Sequence, residues 1–201
     1  MFNYLNEYAA RIHEDNAKWW RDPKTGNKID WPNGIKHFLV ISELVEAGEG
    51  ERKELNDDKL KHRPMAEVEL ADTIIRIFDY VGAKKYDLDN AMSSCYPTLR
   101  DKRWPAMQVF FNQRFFRLGD HKGKQLMQIV CAVCKIFELE EAGATEFQIS
   151  TGFIWLLALI CDYAAIHDYD LDGAIKEKRA FNATREDHTD KARMSAGGKK
   201  W

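Results

Sequence analysis

The chain has 201 residues, enough to bury one large core or two small ones packed together, and with 45% hydrophobic and 31% charged residues it is not a disordered polymer. A formal charge of −2 supplies no global field for a nucleic-acid polymer or an anionic membrane, so neither is an expected partner. The charge is uneven, however: residues 36–72 carry ten carboxylates against six Lys/Arg, and residues 176–201 carry eight Lys/Arg against four carboxylates.

Taken in chain order, almost every periodic segment has helical spacing, and none shows the sustained alternation of a half-buried strand. The start, "MFNYLNEYAARIHEDN", is too polar for a signal peptide. Residues 2–20 read as a first helix with Tyr4, Tyr8, Ile12 and Trp19 among its apolar positions, and 22–34 as a loop rich in Pro, Gly, Asn and Asp. A second helix is expected from Ile35 to Lys53, burying Phe38, Ile41 and Val45. A polar connector, "NDDKLKHRP" (56–64), follows. The third helix begins at Met65 after Pro64 and runs to about Val81, with Val68, Ala71, Ile75 and Phe78 on one stripe. "YDLDNAM" then opens a fourth, with Asp87 as its N-cap.

The second half repeats this order, with helices expected over 104–116, 123–142, 146–167 and from "YDLDGAIKEKRAFN" onward. "FIWLLALICDYAAI" from Phe153 is too short to span a bilayer and reads as a buried helix. Cys95, Cys131, Cys134 and Cys161 include one C-x-x-C with no second pair and no strand before it, so they read as free thiols of a cytoplasmic protein.

Two echoes make the repeat explicit. Ile41-x-Glu43-Leu-x-Glu46-Ala-Gly matches Ile136-x-Glu138-Leu-x-Glu141-Ala-Gly at an offset of 95, and Asp79-Tyr80 matches Asp162-Tyr163 at an offset of 83. The expected architecture is therefore an all-α antiparallel bundle of two tandem helical units related by a pseudo-twofold. Residues 1–95 form the first unit, 96–183 the second, and 184–201 a basic C-terminal tail.

The copies differ in chemistry. Glu43 and Glu46 stand at i, i+3, as do Glu69 and Asp72, so each pair occupies one helix face. A single such pair is ordinarily a solvated surface. Two pairs separated by 22 residues, the second on a mostly apolar helix, bring four carboxylates to one helix–helix seam. Like charges there either raise their pKa values or demand cations, and Mg²⁺ is a hard ion that takes oxygen ligands. In the second unit Gly152 and Trp155 stand opposite Glu69 and Asp72. Late in the chain, Lys178, Asn182 and Arg185 line one helical side, two cations and an amide suited to phosphate oxygens. The earlier equivalents, Cys95, Leu99 and Lys102, mostly lack that set.

At these residues the sequence resembles the MazG-like, all-α nucleoside triphosphate pyrophosphohydrolases, a group that includes the dimeric dUTPases. The resemblance runs from about Ile35 to Ala91 and resumes from Tyr169. It implies Mg²⁺ (or Mn²⁺ in its place) bound by Glu43, Glu46, Glu69 and Asp72, with Lys178, Asn182 and Arg185 as substrate contacts. It also implies hydrolysis of a (d)NTP to the monophosphate and pyrophosphate, by a homodimer or larger homo-oligomer. Residues 92–168 depart from the family pattern as a second, degenerate unit, so catalysis is expected in the first copy only, with Glu46 the guess for general base. Arg63, with Arg52, Lys53, Lys59 and His62, flanks the connector and adds possible phosphate contacts. Asn16 and Trp19 offer an amide and an aromatic face to a base, while at least one of Trp19 and Trp20 belongs to the core. Two other readings stay open at this level: a metal–nucleotide-binding module without turnover, and a structural helical adaptor. Within the enzyme reading, uracil, cytosine, guanine and broad specificities all remain open.

Overall fold

The computed structural model describes residues 4–96 and 118–199. They form eight α-helices: α1 (Tyr4–Asp15), α2 (Asn33–Lys53), α3 (Met65–Lys84), α4 (Leu88–Cys95), α5 (Lys122–Glu141), α6 (Glu146–Ile166), α7 (Leu171–Thr184) and α8 (Asp190–Met194). Two 3₁₀ turns, Ala17–Trp20 and Glu186–His188, complete the regular structure. Among the described residues there is no strand, only the isolated bridges Arg21–Lys28 and Asn56–Pro64. The fold is an all-α bundle. The helix expected over 104–116 lies outside the described residues.

Three local readings differ from expectation. The first helix stops at Asp15, where the Asn16 side chain donates to the Ile12 carbonyl at 2.9 Å and competes with the helix, so Trp19 and Trp20 sit on a separate turn. The second correction concerns α2. Phe38 and Val45 are not buried but 63% and 62% exposed, while His37, Val40, Glu43, Leu44 and Ala47 face inward. Apolar residues are spread around this helix, so period alone did not choose its inner face. Thirdly, residues 184–201 are not a loose tail through the described part. Buried Arg193 donates to the carbonyls of Lys18 (2.6 Å) and Arg21 (3.1 Å) and ties α8 onto the Trp19–Trp20 turn.

The helix α3 is the centre. Its expected stripe, Val68, Ala71, Ile75 and Phe78, is buried, each large side chain contributing roughly 1.5–3 kcal/mol. It packs against α1, α2 and α7. Gly82 lets α1 approach, since a Cβ there would stand 2.5 Å from the Ala9 carbonyl oxygen. Asp87 caps α4 by accepting from the Asn90 amide, and its echo Asp170 caps α7 by accepting from that of Gly173, each cap worth about 1 kcal/mol.

The helices that follow these two caps cross between units: α4 of the first packs on α6 of the second, and α7 of the second packs on α3 of the first. The side chains reciprocate. Tyr80 and Tyr86 donate to Glu140 at 2.9 and 2.8 Å, and their echoes Tyr163 and Tyr169 donate to Glu51, both at 2.7 Å. His37 adds a 2.7 Å contact to Glu140, and Lys122 an ion pair to Glu51. The α2 and α5 helices therefore run antiparallel along one seam. Burial pushes both carboxyls up, but these donors win and hold both below the ordinary carboxylate range. One continuous apolar cluster includes residues of both units. Among the described residues, α6 alone is long and apolar enough to cross a membrane, and most of it is buried inside this bundle.

Candidate functional site

The paired carboxylates meet because α2 and α3 run antiparallel. Pro64 starts α3, the connector between them is closed by backbone bonds from Met65 to Leu55 and from Asp57 to Arg63, and Glu43 arrives opposite Glu69 and Asp72. One oxygen from each of these three acids lies within 4.8 Å of the others. Glu46, one turn further along α2, is exposed and stands beside the group rather than in it. Burial first, then the neighbouring Glu43, raises its carboxyl above the ordinary range.

Two cations answer these three acids. Lys178, 4% exposed, comes from α7 to place Nζ 2.9 Å from Asp72 Oδ2, and Arg76, one turn beyond Asp72, sets Nε 2.6 Å from Glu43 Oε1. Glu69 has no such ion pair among the described residues. Burial above all, with the hydrogen bond to Glu43 and the charge of Asp72, raises its carboxyl to about 9 against the pull of Lys178. Asp72 is raised too, again chiefly by burial. Burial alone would lower Lys178, but Asp72 and Glu69 keep its ammonium above the ordinary value. The donor set is all carboxylate oxygen, which suits a hard divalent ion.

From Asp72 a groove continues along the same seam. Its cleft holds about 90 Å³ and is lined by Asn16, Trp19, Lys36, Leu39, Asp72, Ile75, Arg76, Asp79, Asn182, Arg185, His188 and Lys199. Asn16, Trp19, Asn182 and Arg185, singled out from sequence, thus share one wall system with Asp72. The Asn182 Oδ1 is buried with no hydrogen-bond partner among the described residues. Arg185 is paired with Asp187 at 2.6–2.8 Å, which raises its guanidinium further. The Trp19 ring stands edge-on to His188 at 5.1 Å, and the Arg193 guanidinium covers it at 4.8 Å. Trp20 is the core tryptophan, buried with Nε1 donating to Asp79 at 2.9 Å.

Two residues take places other than those read from sequence. Arg63 does not line the cleft: it donates to Glu67 (2.5 Å), Glu177 (2.8 and 3.0 Å) and Asp170 (3.3 Å), bracing the connector against α7. Lys178 faces Asp72 rather than the cleft wall. Five charged or titratable cleft residues were missed: Lys36, Arg76, Asp79, His188 and Lys199. Arg76 and Asp79 fall at i+4 and i+7 from Asp72, and Lys36 at i−7 from Glu43, so helical spacing carried all three. His188 had no periodic signal, because a 3₁₀ turn brings it in.

Comparison with protein-family models, curated proteins and solved structures found no match to this chain.

Proposed function

We propose that the chain is a MazG-like, divalent-metal-dependent pyrophosphohydrolase of (deoxy)nucleoside triphosphates. One observation carries the reading: Glu43, Glu69 and Asp72 converge from two helices, and Asp72 lines a cleft whose other walls combine cations, amides and an aromatic ring. Glu43, Glu69 and Asp72, with Glu46 alongside, would hold Mg²⁺ or Mn²⁺, which supplies charge neutralisation and water activation. In the reaction, water oxygen bonds to the α-phosphorus, the bond from that phosphorus to the bridging oxygen breaks, and pyrophosphate leaves. Glu46 accepts the water's proton, its carboxyl exposed beside the three acids and raised by burial and by Glu43. Arg185 and Lys199 neutralise the phosphates, and Lys178 positions Asp72 from behind. A cleft of 90 Å³ cannot enclose a whole nucleotide, so the substrate lies along the seam with part of it in solvent. Free thiols at Cys131 and Cys134, both exposed, favour a reducing, cytoplasmic setting. Exposed Phe38 and Val45 favour a homo-oligomer, readable by light scattering.

The test is pyrophosphate release across the eight common (d)NTPs with Mg²⁺ and with Mn²⁺. The expected result is metal-dependent turnover of at least one. A second reading, a nucleotide-binding module without turnover, draws on the ion pairs that already neutralise Asp72 and Glu43. Metal-dependent nucleotide binding with no release under any condition would favour it.

A further inference from the structure

Lys36 is a cleft cation that the reaction above leaves unused. It is 6% exposed, on the first turns of α2, and its Nζ lies 4.3 Å from the Trp20 ring centroid and 5.5 Å from that of Trp31. No hydrogen bond or ion pair to that ammonium occurs among the described residues, though it lines the cleft. Two indoles hold the stem and head in place and supply no acceptor. A buried, pinned ammonium with unused donors is a built recognition element rather than a solvated surface charge.

Its position argues against a phosphate contact. Lys36 precedes Glu43 by seven residues on α2, and Asp79 follows Asp72 by seven on α3, so the Lys36–Asp79 end lies about 10 Å along the seam from the acids. The charges acting on Lys36 are Asp79, Arg76 and Arg193, whereas those acting on Lys178 are Asp72, Glu69 and Asp57. That separation matches the reach from an α-phosphate to the far edge of its base. Ile75 and Leu39 supply apolar wall between the two ends, and Trp19 an aromatic one.

At the far end, a donor stands beside an acceptor. Asp79 takes Trp20 Nε1 at 2.9 and 3.1 Å and His13 Nδ1 at 2.8 Å, which fixes its carboxylate, and it still lines the cleft. Burial pushes the Lys36 ammonium down to about 8, so it remains mostly protonated and donating at neutral pH. A carbonyl next to an imino N–H is complementary to this pair. Guanine, hypoxanthine, uracil and thymine share that edge, and the two purines add N7 as a second acceptor for a lysine. Adenine and cytosine present an amine to Lys36 and a bare nitrogen to Asp79, two mismatches. We infer that Lys36, with Asp79, selects nucleotides whose base carries a keto–imino edge over those with an amino edge. The inference rests on the nucleotide reading of the site but not on hydrolysis.

dITP and dATP separate the question cleanly, because the change of edge at positions 1 and 6 is the only difference between them; dUTP and dCTP form the pyrimidine pair. With full-length protein and Mg²⁺, kcat/KM for dITP should exceed that for dATP by about 10-fold or more, and dUTP should exceed dCTP similarly. In Lys36→Met, which keeps the stem length between the indoles, both ratios should fall to near one, with circular dichroism checking the fold. Wild-type ratios at or below one overturn the inference, and they need no variant. So does a keto preference that survives in folded Lys36→Met, or a loss of rate in that variant with the ratios unchanged, which would place Lys36 on a phosphate. If no triphosphate is turned over, calorimetric binding of dIMP against dAMP decides: a preference lost in Lys36→Met sustains base selection while hydrolysis falls, and no preference, or no binding, overturns it.

Discussion

The seam of α2 with α3 and the matching seam of α5 with α6 begin from the same sequence echo and end as opposites. In the first, Glu43, Glu69 and Asp72 are drawn inward and met by Arg76 and Lys178. In the second, Glu138 and Glu141 are exposed, Gly152 stands where Glu69 would be, and Ile136 closes over it. The difference lies as much in the crossing helix as in the acids. The α7 helix brings Lys178 to the first seam, whereas α4 carries Cys95 at that position to the second. A charged seam can be buried only when counter-charges arrive with it, so loss of the cations and loss of the acids belong together.

The sharpest break of this comparison is chemical. Asp72→Asn and Glu69→Gln should each lower pyrophosphate release by at least about 100-fold while leaving the helical circular-dichroism signal intact, since each removes a ligand oxygen's charge with little change of volume. Equal losses from Glu138→Gln would make the second seam a working site. Next in size is Lys178→Met. It strands Asp72 beside Glu43 and Glu69, and removing one partner of a buried pair costs roughly 3–5 kcal/mol. Urea unfolding in EDTA should register that loss, and saturating Mg²⁺ should restore part of it, because a divalent ion replaces the missing charge. A Lys178→Met variant as stable as wild type in EDTA would mean the acids need no counter-ion.

Where the two units agree, their variants should agree. Glu140 is held by Tyr80, Tyr86 and His37, and Glu51 by Tyr163, Tyr169 and Lys122. Glu140→Gln and Glu51→Gln should each cost about 1–3 kcal/mol, since at least one donor loses a charged acceptor. Tyr80→Phe combined with Glu140→Gln should cost less than the two singles added, as should Tyr163→Phe with Glu51→Gln. Additive losses in one clamp and coupled losses in the other would show that the reciprocity is geometric only.

How much of this was legible in the sequence follows from what periodicity encodes. It identifies positions that share a face, which is why the α3 stripe from Val68 to Phe78 and the acids at 43, 46, 69 and 72 were readable from the sequence, although Glu46 stands beside the group rather than in it. It does not say which face turns inward when apolar residues surround a helix. On α2 the bury-the-apolar rule chose Phe38 and Val45, whereas the structure turns Glu43 and His37 in and leaves those two outside. Crossing between units was hidden for another reason: an echo reports likeness, not which copy a helix packs upon. Arg63 illustrates a third limit. A basic residue beside an acidic motif resembles a phosphate ligand in sequence, but Glu67 one turn on and two carboxylates distant in the chain had already claimed it.

The smallest effects test whether the second seam is a closed remnant. A Cβ on Gly152 would meet Ile136 Cγ1 at 2.9 Å, so Gly152→Ala forces the Ile136 side chain aside. Part of that strain is offset by the helix preference of Ala over Gly, leaving a net cost of about 1 kcal/mol in urea unfolding. By contrast, Glu138→Gln with Glu141→Gln touches only exposed carboxylates and should shift stability by less than about 0.5 kcal/mol. Turnover should stay within about twofold, because a distant, uncoupled surface change leaves the transition state alone. The two results must come as a pair. A tolerant Gly152 would mean the packing against Ile136 is loose enough to admit a side chain, and sensitive glutamates would mean something binds them. Either result would remove the reason for assigning the chemistry to one copy.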